Sequence, residues 1–188
     1  MKYFPLFADL DDADVVVAGG GEQAAQKVRL LLKTPARITV VAEAVTDELR
    51  QLGEDGAIMI LPRVFRPDDL DGSRLVYAAT GNRARDAAVS AAAQVRGIPV
   101  NVVDVPKLST FITPAIVDRD PVTVAIGTEG AAPVLAREIK TRLETWLPAN
   151  FGALAERAQG LRDLVADSIP DARARRRLWE RLLSGPFR

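Results

Sequence analysis

The most restrictive feature of this sequence is a glycine turn between a short β-branched segment and a helical pattern. Residues 14–18 read Asp-Val-Val-Val-Ala, and the turn Gly19-Gly20-Gly21 follows directly. A continuous apolar run of this length is typical of a strand buried on both faces, as in a parallel sheet. From Glu22 to Leu32 the apolar and small side chains then recur at helical spacing. The segment therefore predicts the strand–turn–helix unit of an α/β fold.

The turn and the first helical residues fit the pattern G-x-G-x-x-A. In a dinucleotide-binding fold, glycines permit the tight turn and a close approach of the pyrophosphate, and the small last residue lets helix and strand pack. The N–H groups at the helix start then face the anion. We therefore predict that a dinucleotide binds Gly19, Gly21, Glu22, Gln23 and Ala24. A plain glycine turn without a nucleotide is the alternative.

A carboxylate follows the second apolar run, which extends from Arg37 to Ala42. Glu43 lies 22 residues after Gly21. A carboxylate there accepts hydrogen bonds from a ribose 2′-hydroxyl and repels a 2′-phosphate. Because no Arg or Lys immediately follows this run, we expect NAD rather than NADP as the cofactor. We predict that Glu43 and Ala44 contact the cofactor, together with Thr80 at the end of a later strand. The alternative for Glu43 is an exposed loop residue that contacts only solvent.

Strand and helix patterns alternate over the first 103 residues. The predicted strands are Asp14 to Ala18, Arg37 to Ala42, Ala57 to Leu61, Leu75 to Ala79 and Val100 to Val103. The predicted helices are Glu22 to Leu32, Thr46 to Leu52 and Arg83 to Arg96. This alternation predicts an α/β fold, a Rossmann-like doubly wound parallel sheet with right-handed crossovers.

The pattern changes after about residue 113. One further strand, Pro121 to Ile126, precedes helical patterns at residues 132–146, 151–169 and 172–183. We therefore predict an NAD-binding Rossmann-like domain at 1–113, a small αβ segment at 114–147 and a helical domain at 148–188. One strand and one helix are too little to bury both faces of the middle segment. We therefore expect it to contact a second chain.

The composition removes several classes of function. The chain has no cysteine and no histidine, which excludes disulfides, thiolate or imidazole metal ligands and serine–histidine triads. Its 25 basic and 25 acidic residues balance, so nothing favours a nucleic-acid partner. No apolar run approaches the roughly 18 residues of a membrane span, and the N-terminal residues lack a secretory signal. We expect a cytoplasmic protein with no membrane or nucleic-acid partner.

Polar side chains mark the end of the fifth predicted strand, which reads Asn101-Val-Val-Asp104. Ligands of open α/β sheets bind outside the carboxyl ends of the strands. Without histidine in the chain, Asp104 is the first candidate for a general base, and partial burial would favour that role. Ser109 adds a hydroxyl on the same side. A capping or turn aspartate before Pro106 is the alternative.

Several segments, taken together and in order, resemble one known family. They are Gly19-Gly20-Gly21-Glu22 with Ala25 and Lys27, Ala78-Ala79-Thr80, Asn101-Val102-Val103-Asp104, Phe111-Ile112 with Pro114-Ala115-Ile116-Val117-Asp118-Arg119, Ala132-Pro133-Val134-Leu135-Ala136-Arg137, and Arg175-Arg176-Arg177 with Trp179-Glu180. The family is precorrin-2 dehydrogenase/sirohydrochlorin ferrochelatase, the N-terminal module of siroheme synthase. The likeness extends from about Tyr3 to Leu183.

The resemblance implies NAD-dependent oxidation of precorrin-2 to sirohydrochlorin, then insertion of ferrous iron, a substrate, to give siroheme. It implies Asp104 as the catalytic residue and a homodimer formed through the 114–147 segment. For the tetrapyrrole substrate we expect contacts from Asn101, Ser109 and Thr128. Thr128 stands in Gly127-Thr-Glu-Gly130, where family members carry Ser-Ser-Gly-Gly. No residue is assigned to the iron.

Two other functions fit the same residues. One is a dehydrogenase that lacks the chelatase activity. The other is a dinucleotide-sensing module without chemistry, which would need neither Asp104 nor the arginines of the C-terminal helix. Those arginines, within residues 173–181, suit a substrate with many carboxylates. A solvated helix face paired with local acids is the alternative for them.

Overall fold

The computed structural model of the chain describes residues 1–183, and the chain divides into two compact units. The first unit is Met1–Thr113 and the second is Pro114–Arg188. Among the described residues, no helix combines the length and apolar character that crossing a membrane requires.

The first unit is built on a parallel sheet of five strands. They are β1 Asp14–Ala18, β2 Arg37–Val41, β3 Met59–Leu61, β4 Ser73–Ala78 and β5 Val100–Val102. Their order across the sheet is β3-β2-β1-β4-β5, with every neighbouring pair parallel. The predicted Rossmann-like fold is therefore confirmed. The strand order reverses between β1 and β4, and this is the crevice where such sheets bind ligands.

Three α-helices and two short 3₁₀-helices connect these strands. They are α1 Glu22–Leu31, α2 Asp47–Glu54 and α3 Arg83–Val95, with 3₁₀ turns at Pro67–Leu70 and Pro106–Leu108. Two helices have a side-chain cap: Thr46 accepts a hydrogen bond from the backbone N–H of Leu49, and Asn82 accepts two from the start of α3. Such caps satisfy N–H groups that have no partner inside the helix.

The core of the first unit lies on both faces of the sheet, which explains the uninterrupted apolar run of β1. Val15 and Val17 pack on one face with Val28 of α1. Val16 packs on the other face with Val89 of α3. Because both faces are covered, neither needs the polar alternation of a half-exposed strand.

The second unit begins with an antiparallel hairpin, and helices follow. The strands are β6 Ala115–Arg119 and β7 Val122–Ile126, and the helices are α4 Pro133–Trp146, α5 Phe151–Gly160, α6 Arg162–Ser168 and α7 Ala172–Leu183. The prediction of a single strand was incomplete, because the apolar run of β6, Ala115-Ile116-Val117, is only three residues long before Asp118 and Arg119. The helix predicted over 151–169 is two helices, and the break follows Gly160, a poor helix former.

Arg119 connects the hairpin to the end of α4. Its guanidinium donates to the backbone carbonyls of Glu144 and Leu147, both at 3.0 Å. These are carbonyls that the end of a helix leaves without intrahelical partners. At the start of α5, a Cβ on Gly152 would collide with the carbonyl oxygens of Arg119 and Asp120. Glycine at this position lets α5 pack against the hairpin turn.

Candidate functional site

The glycine turn is held tightly against the strand ends on either side of β1. Gly19 has φ +126°, and a Cβ there would collide with the carbonyl oxygen of Ala79, just after β4. A Cβ on Gly20 would collide with the carbonyl oxygen of Ala44, in the loop after β2. Gly20, to which the sequence analysis gave no role, is thus needed for packing. Ala44, a predicted cofactor contact, forms one wall of the turn.

Gly21 differs from its two neighbours because it faces open space. A Cβ built on it meets no atom within 4 Å, and its backbone is extended. It is the N-cap of α1, and no side chain caps that helix. The first N–H groups of a helix have no intrahelical partner and attract anions. The turn therefore offers the space and the donors that a pyrophosphate requires.

The other residues predicted to bind the phosphates play unequal parts. Ala24 is fully buried and lets α1 pack on the sheet. The Glu22 carboxylate accepts a hydrogen bond of 2.7 Å from Arg29. The group of Glu22 that can bind a phosphate is therefore its backbone N–H. The Gln23 amide donates to Asp104 Oδ2 at 2.9 Å. Cofactor binding by these residues remains a prediction.

That hydrogen bond joins the first turn of α1, directly after the glycine turn, to the predicted catalytic carboxylate, 81 residues away along the chain. Asp104 follows β5 and has φ +59°, a left-handed conformation that Asp and Asn tolerate better than most residues. Its side chain is exposed, so the role of a base is not helped by burial in this structure. The reason is that the turn after β5 directs the residue away from the sheet core.

Lys27 lies one turn after Gln23 on α1, close enough to Asp104 to feel its negative charge. Its ammonium lies 5.8 Å from the centre of the Tyr77 ring, and that ring packs edge-to-face against Phe111 with the ring centres 5.5 Å apart. Burial lowers the pKa of the Lys27 ammonium, and the negative charge of Asp104 acts in the opposite direction. The side chain is half-buried, so this cation is held at the site rather than in bulk solvent.

Lys27 had no predicted role of its own. A signal was present: Ala24, Val28 and Leu31 form the buried stripe of α1, and Lys27 lies three residues after the first of them. A cation beside the core-facing stripe of a helix is unusual unless its charge has a partner or a function.

Asn101 and Ser109 hold the segment after β5 against the strand. The Asn101 side chain donates to the backbone carbonyl of Phe111 at 3.0 Å. The Ser109 hydroxyl accepts from the Val102 N–H at 2.9 Å and lies 3.1 Å from the Val105 carbonyl oxygen. These bonds fix the loop that carries the candidate base. Substrate contact by either residue remains a prediction.

Thr80 lies at the start of the β4–α3 connection and is held there by hydrogen bonds to Asp86. Its hydroxyl donates to Asp86 Oδ1 at 2.7 Å, and its backbone N–H donates to the same oxygen at 3.0 Å. Asp86 is buried. The hydroxyl is thus engaged within the protein, and the predicted contact between Thr80 and a cofactor remains untested.

The Glu43 carboxylate has a cationic partner, although no Arg or Lys immediately follows it in the sequence. Arg85, in the first turn of α3, donates to Glu43 Oε2 at 2.9 Å. The two residues are 42 positions apart in the chain. No Arg or Lys immediately follows β2 in the sequence, but α3 brings a cation to this carboxylate from the other side of β1. The preference for NAD therefore remains a prediction.

Thr128 belongs to the second unit. It follows β7, is half-buried, and its carbonyl accepts a hydrogen bond of 2.9 Å from the N–H of Ala131. Within residues 1–183, no three or more acidic side chains are gathered in a way that could hold a metal ion. The substrate role of Thr128 remains a prediction, and the iron has no assigned residues.

Two family models match the chain. One, described as "Putative NAD(P)-binding", matches residues 6–115. The other, described as a sirohaem synthase dimerisation region, matches residues 150–188. The second match covers the region predicted as the helical domain, whereas the sequence analysis placed dimerisation at 114–147. The predicted domain bounds are not tested by these matches.

Curated relatives resemble the chain along almost its entire length. A siroheme synthase of Methylococcus capsulatus is 50% identical over 186 residues, which are 99% of this chain and 39% of the relative. A siroheme synthase of Pseudomonas entomophila is 48% identical over 187 residues, 100% of this chain and 40% of the relative. The chain thus spans about two fifths of the length of these relatives.

A solved structure titled "SirC, precorrin-2 dehydrogenase" has the same fold. The TM-score is 0.77 at 22% sequence identity, with 98% of this chain and 92% of that chain covered. The resemblance stated from the sequence is confirmed, and the chain belongs to the NAD(P)-binding family that its first 115 residues match, in the form found in siroheme synthases.

Proposed function

We propose that this chain oxidises precorrin-2 to sirohydrochlorin with NAD and then inserts ferrous iron to give siroheme. The observation that carries the proposal is the hydrogen bond of 2.9 Å between Gln23 and Asp104. It supports the proposal because Gln23 belongs to the first turn of α1, directly after the glycine turn, and Asp104 is the first candidate for a general base. The siroheme synthases that the chain resembles support the substrate class.

The oxidation removes one hydride and one proton from the tetrapyrrole. When bound, the nicotinamide accepts the hydride. The fit of such a cofactor rests on the open space at Gly21 and the uncapped start of α1. Asp104 accepts the proton, and its amide partner Gln23 keeps the carboxylate turned toward the glycine turn. Exposure of Asp104 suits this role, because the proton can pass on to water.

Metal insertion places a different demand on the same carboxylate. Ferrous iron replaces two protons on the pyrrole nitrogens, so the base must accept them in turn. Asp104 is the group in the first unit that we assign to this step. The Lys27 ammonium holds a carboxylate at the edge of the tetrapyrrole, because a charge-assisted hydrogen bond from a half-buried cation to a carboxylate is stronger than a neutral one.

The active form is a homodimer assembled through the second unit. The match of residues 150–188 to a dimerisation region supports this. So does an apolar groove between α5 and α7, lined chiefly by Phe151, Leu154, Ala155, Ala158, Trp179 and Leu183. A single chain leaves this groove open, and a second copy would bury it.

Incubation of the protein with precorrin-2 and NAD tests the function. We expect NADH to appear together with the absorbance of sirohydrochlorin, and siroheme to follow when ferrous iron is added under anaerobic conditions. NADH without siroheme would establish the dehydrogenase alone. NAD binding without turnover would favour a dinucleotide-sensing module and contradict the proposal.

A further inference from the structure

The ion pair between Glu43 and Arg85 crosses the crevice of the first unit. Glu43 follows β2, and Arg85 lies on α3, which follows β4. In the sheet, β1 lies between β2 and β4, so the two strands are separated by two strand spacings, about 10 Å. The pair, with its oxygen and nitrogen 2.9 Å apart, therefore spans the carboxyl end of β1, where the glycine turn lies.

This ion pair contributes little to the stability of the fold. Both side chains are more than half exposed, 53% for Arg85 and 56% for Glu43. Exposed ion pairs of this kind contribute little to stability. The Asn82 cap, not Arg85, satisfies the start of α3. What distinguishes this pair from other exposed pairs, such as Arg37 with Asp14, is its position across the carboxyl end of β1, where both charges can reach a ligand of the glycine turn.

A dinucleotide bound at the glycine turn places its adenosine ribose beside the acid that follows β2. A free 2′-hydroxyl donates to a carboxylate, whereas a 2′-phosphate is repelled by it and attracted by a guanidinium. The pair offers both partners at one place. While Glu43 neutralises Arg85, the guanidinium is a weaker site for a phosphate.

We infer that Arg85 is a specificity-determining residue for the cofactor, and that Glu43 masks a 2′-phosphate site which Arg85 would otherwise provide. This inference rests on the dinucleotide site of the proposed function. It makes the choice between NAD and NADP a property of the pair. Removal of the Glu43 carboxylate should then strengthen NADP binding, and this increase should require Arg85.

Titration of NAD and NADP against four proteins tests this: the wild type, Glu43→Gln, Arg85→Gln and the double variant. We expect the wild type to prefer NAD. Glu43→Gln should shift the ratio of the two dissociation constants toward NADP by about tenfold, as one charge-assisted hydrogen bond allows. In the Arg85→Gln background the same change should shift the ratio by less than about twofold.

A matched control is available at the opposite end of the strands. Arg37 pairs with Asp14 at the amino ends of β2 and β1, and Arg37→Gln should leave the ratio unchanged. An equal shift with and without Arg85 would overturn the inference while leaving the dinucleotide site intact. Failure of the wild type to bind either dinucleotide would overturn both the inference and the proposed function. Thermal unfolding of each variant confirms that it is folded.

Discussion

The two units of the chain bury their apolar side chains to very different degrees. In the first unit, both faces of a five-stranded sheet are covered, and most residues of β1, β4 and β5 are buried. Among the described residues of the second unit, only three apolar side chains are buried: Val117, Ala136 and Leu147. Helix α7 has no buried residue at all, although Trp179 and Leu183 face a groove.

We infer from this difference that the first unit carries the proposed chemistry and the second the proposed assembly. In the first unit the sheet is covered on both faces within one chain, although Phe4, Leu6 and Phe7 before it are exposed, and the unit carries the glycine turn, Asp104 and Lys27. The second unit leaves apolar surface that a second chain would cover, because burial of such surface is the main favourable contribution to association. Each prediction below tests one side of this comparison.

The largest expected effect is the loss of the base in the first unit. Asp104→Asn should slow metal insertion by about 10²–10⁴-fold, as loss of a positioned base does. Dehydrogenation should be affected less, because its proton can pass to water. Parallel assays of NADH formation and siroheme absorbance measure the two rates.

Asparagine also tolerates the left-handed backbone at this position, so the fold and NAD binding should be unchanged. Asp12→Asn is the matched control, since Asp12 is an exposed aspartate with φ +50° in the loop before β1. Wild-type rates of both reactions in Asp104→Asn would show that Asp104 is only a turn residue.

The second largest effect contrasts two glycines of the same turn. Gly19→Ala should lower the free energy of unfolding by about 3 kcal/mol or more, because the new Cβ collides with backbone and the φ is unfavourable. Gly21→Val should change stability little and abolish dinucleotide binding, because its side chain enters open space. Thermal unfolding and NAD titration distinguish the two. Normal NAD binding by Gly21→Val would show that the pyrophosphate lies elsewhere.

Assembly should depend on the second unit alone. Leu154→Glu places a charge in the groove between α5 and α7, and we expect sedimentation to show monomers at micromolar concentration where the wild type forms dimers. NAD binding by the first unit should be unaffected. Val95→Glu, at an exposed position on α3, is the control and should remain dimeric. A dimeric Leu154→Glu variant would remove the groove from the interface.

A pH-dependent effect should appear in the first unit at Asp69. Its side chain is 6% exposed and pairs with Arg63, whose hydrogen bonds lower the pKa of the carboxyl group. The unfolded state therefore takes up a proton first as the pH falls. The stability from this pair is complete above the ordinary carboxyl pKa and is lost as the pH falls through the lowered one.

Asp69→Asn should accordingly cost about 2 kcal/mol at neutral pH, and the difference from the wild type should shrink in acid. Denaturant unfolding at several pH values measures it. The exposed pair of Asp47 and Arg50 is the control, and Asp47→Asn should cost less than about 0.5 kcal/mol. A cost for Asp69→Asn that does not vary with pH would contradict the ion-pair explanation.

The smallest effect concerns Lys27. Lys27→Met keeps the apolar stem and removes the charge, so KM for the tetrapyrrole should rise about three- to tenfold with little change in kcat. Because burial disfavours the charged ammonium, stability should not fall. Lys27→Arg should restore much of the affinity. An unchanged KM in Lys27→Met would show that the ammonium does not contact the substrate.

Much of the first unit could be predicted from the sequence, because its signals are local. The β-branched run of β1, the glycines after it and the stripe of α1 are contiguous, and each reflects the burial of its own segment. The second unit was harder. Strand β6 has an apolar run of only three residues, Ala115-Ile116-Val117. The helix predicted over 151–169 contains a break after Gly160, because periodicity alone does not show where one helix ends and the next begins.

By itself, the sequence determined the alternation of strands and helices, the glycine turn and the identity of the candidate base. Only the tertiary structure decided which side chains meet: Gln23 with Asp104, Lys27 beside Tyr77, and Arg85 across β1 from Glu43. The physical reason is that apolar periodicity records which face of a segment is buried but not which strand lies beside which. The order of the strands brings together residues that are 42 or 81 positions apart.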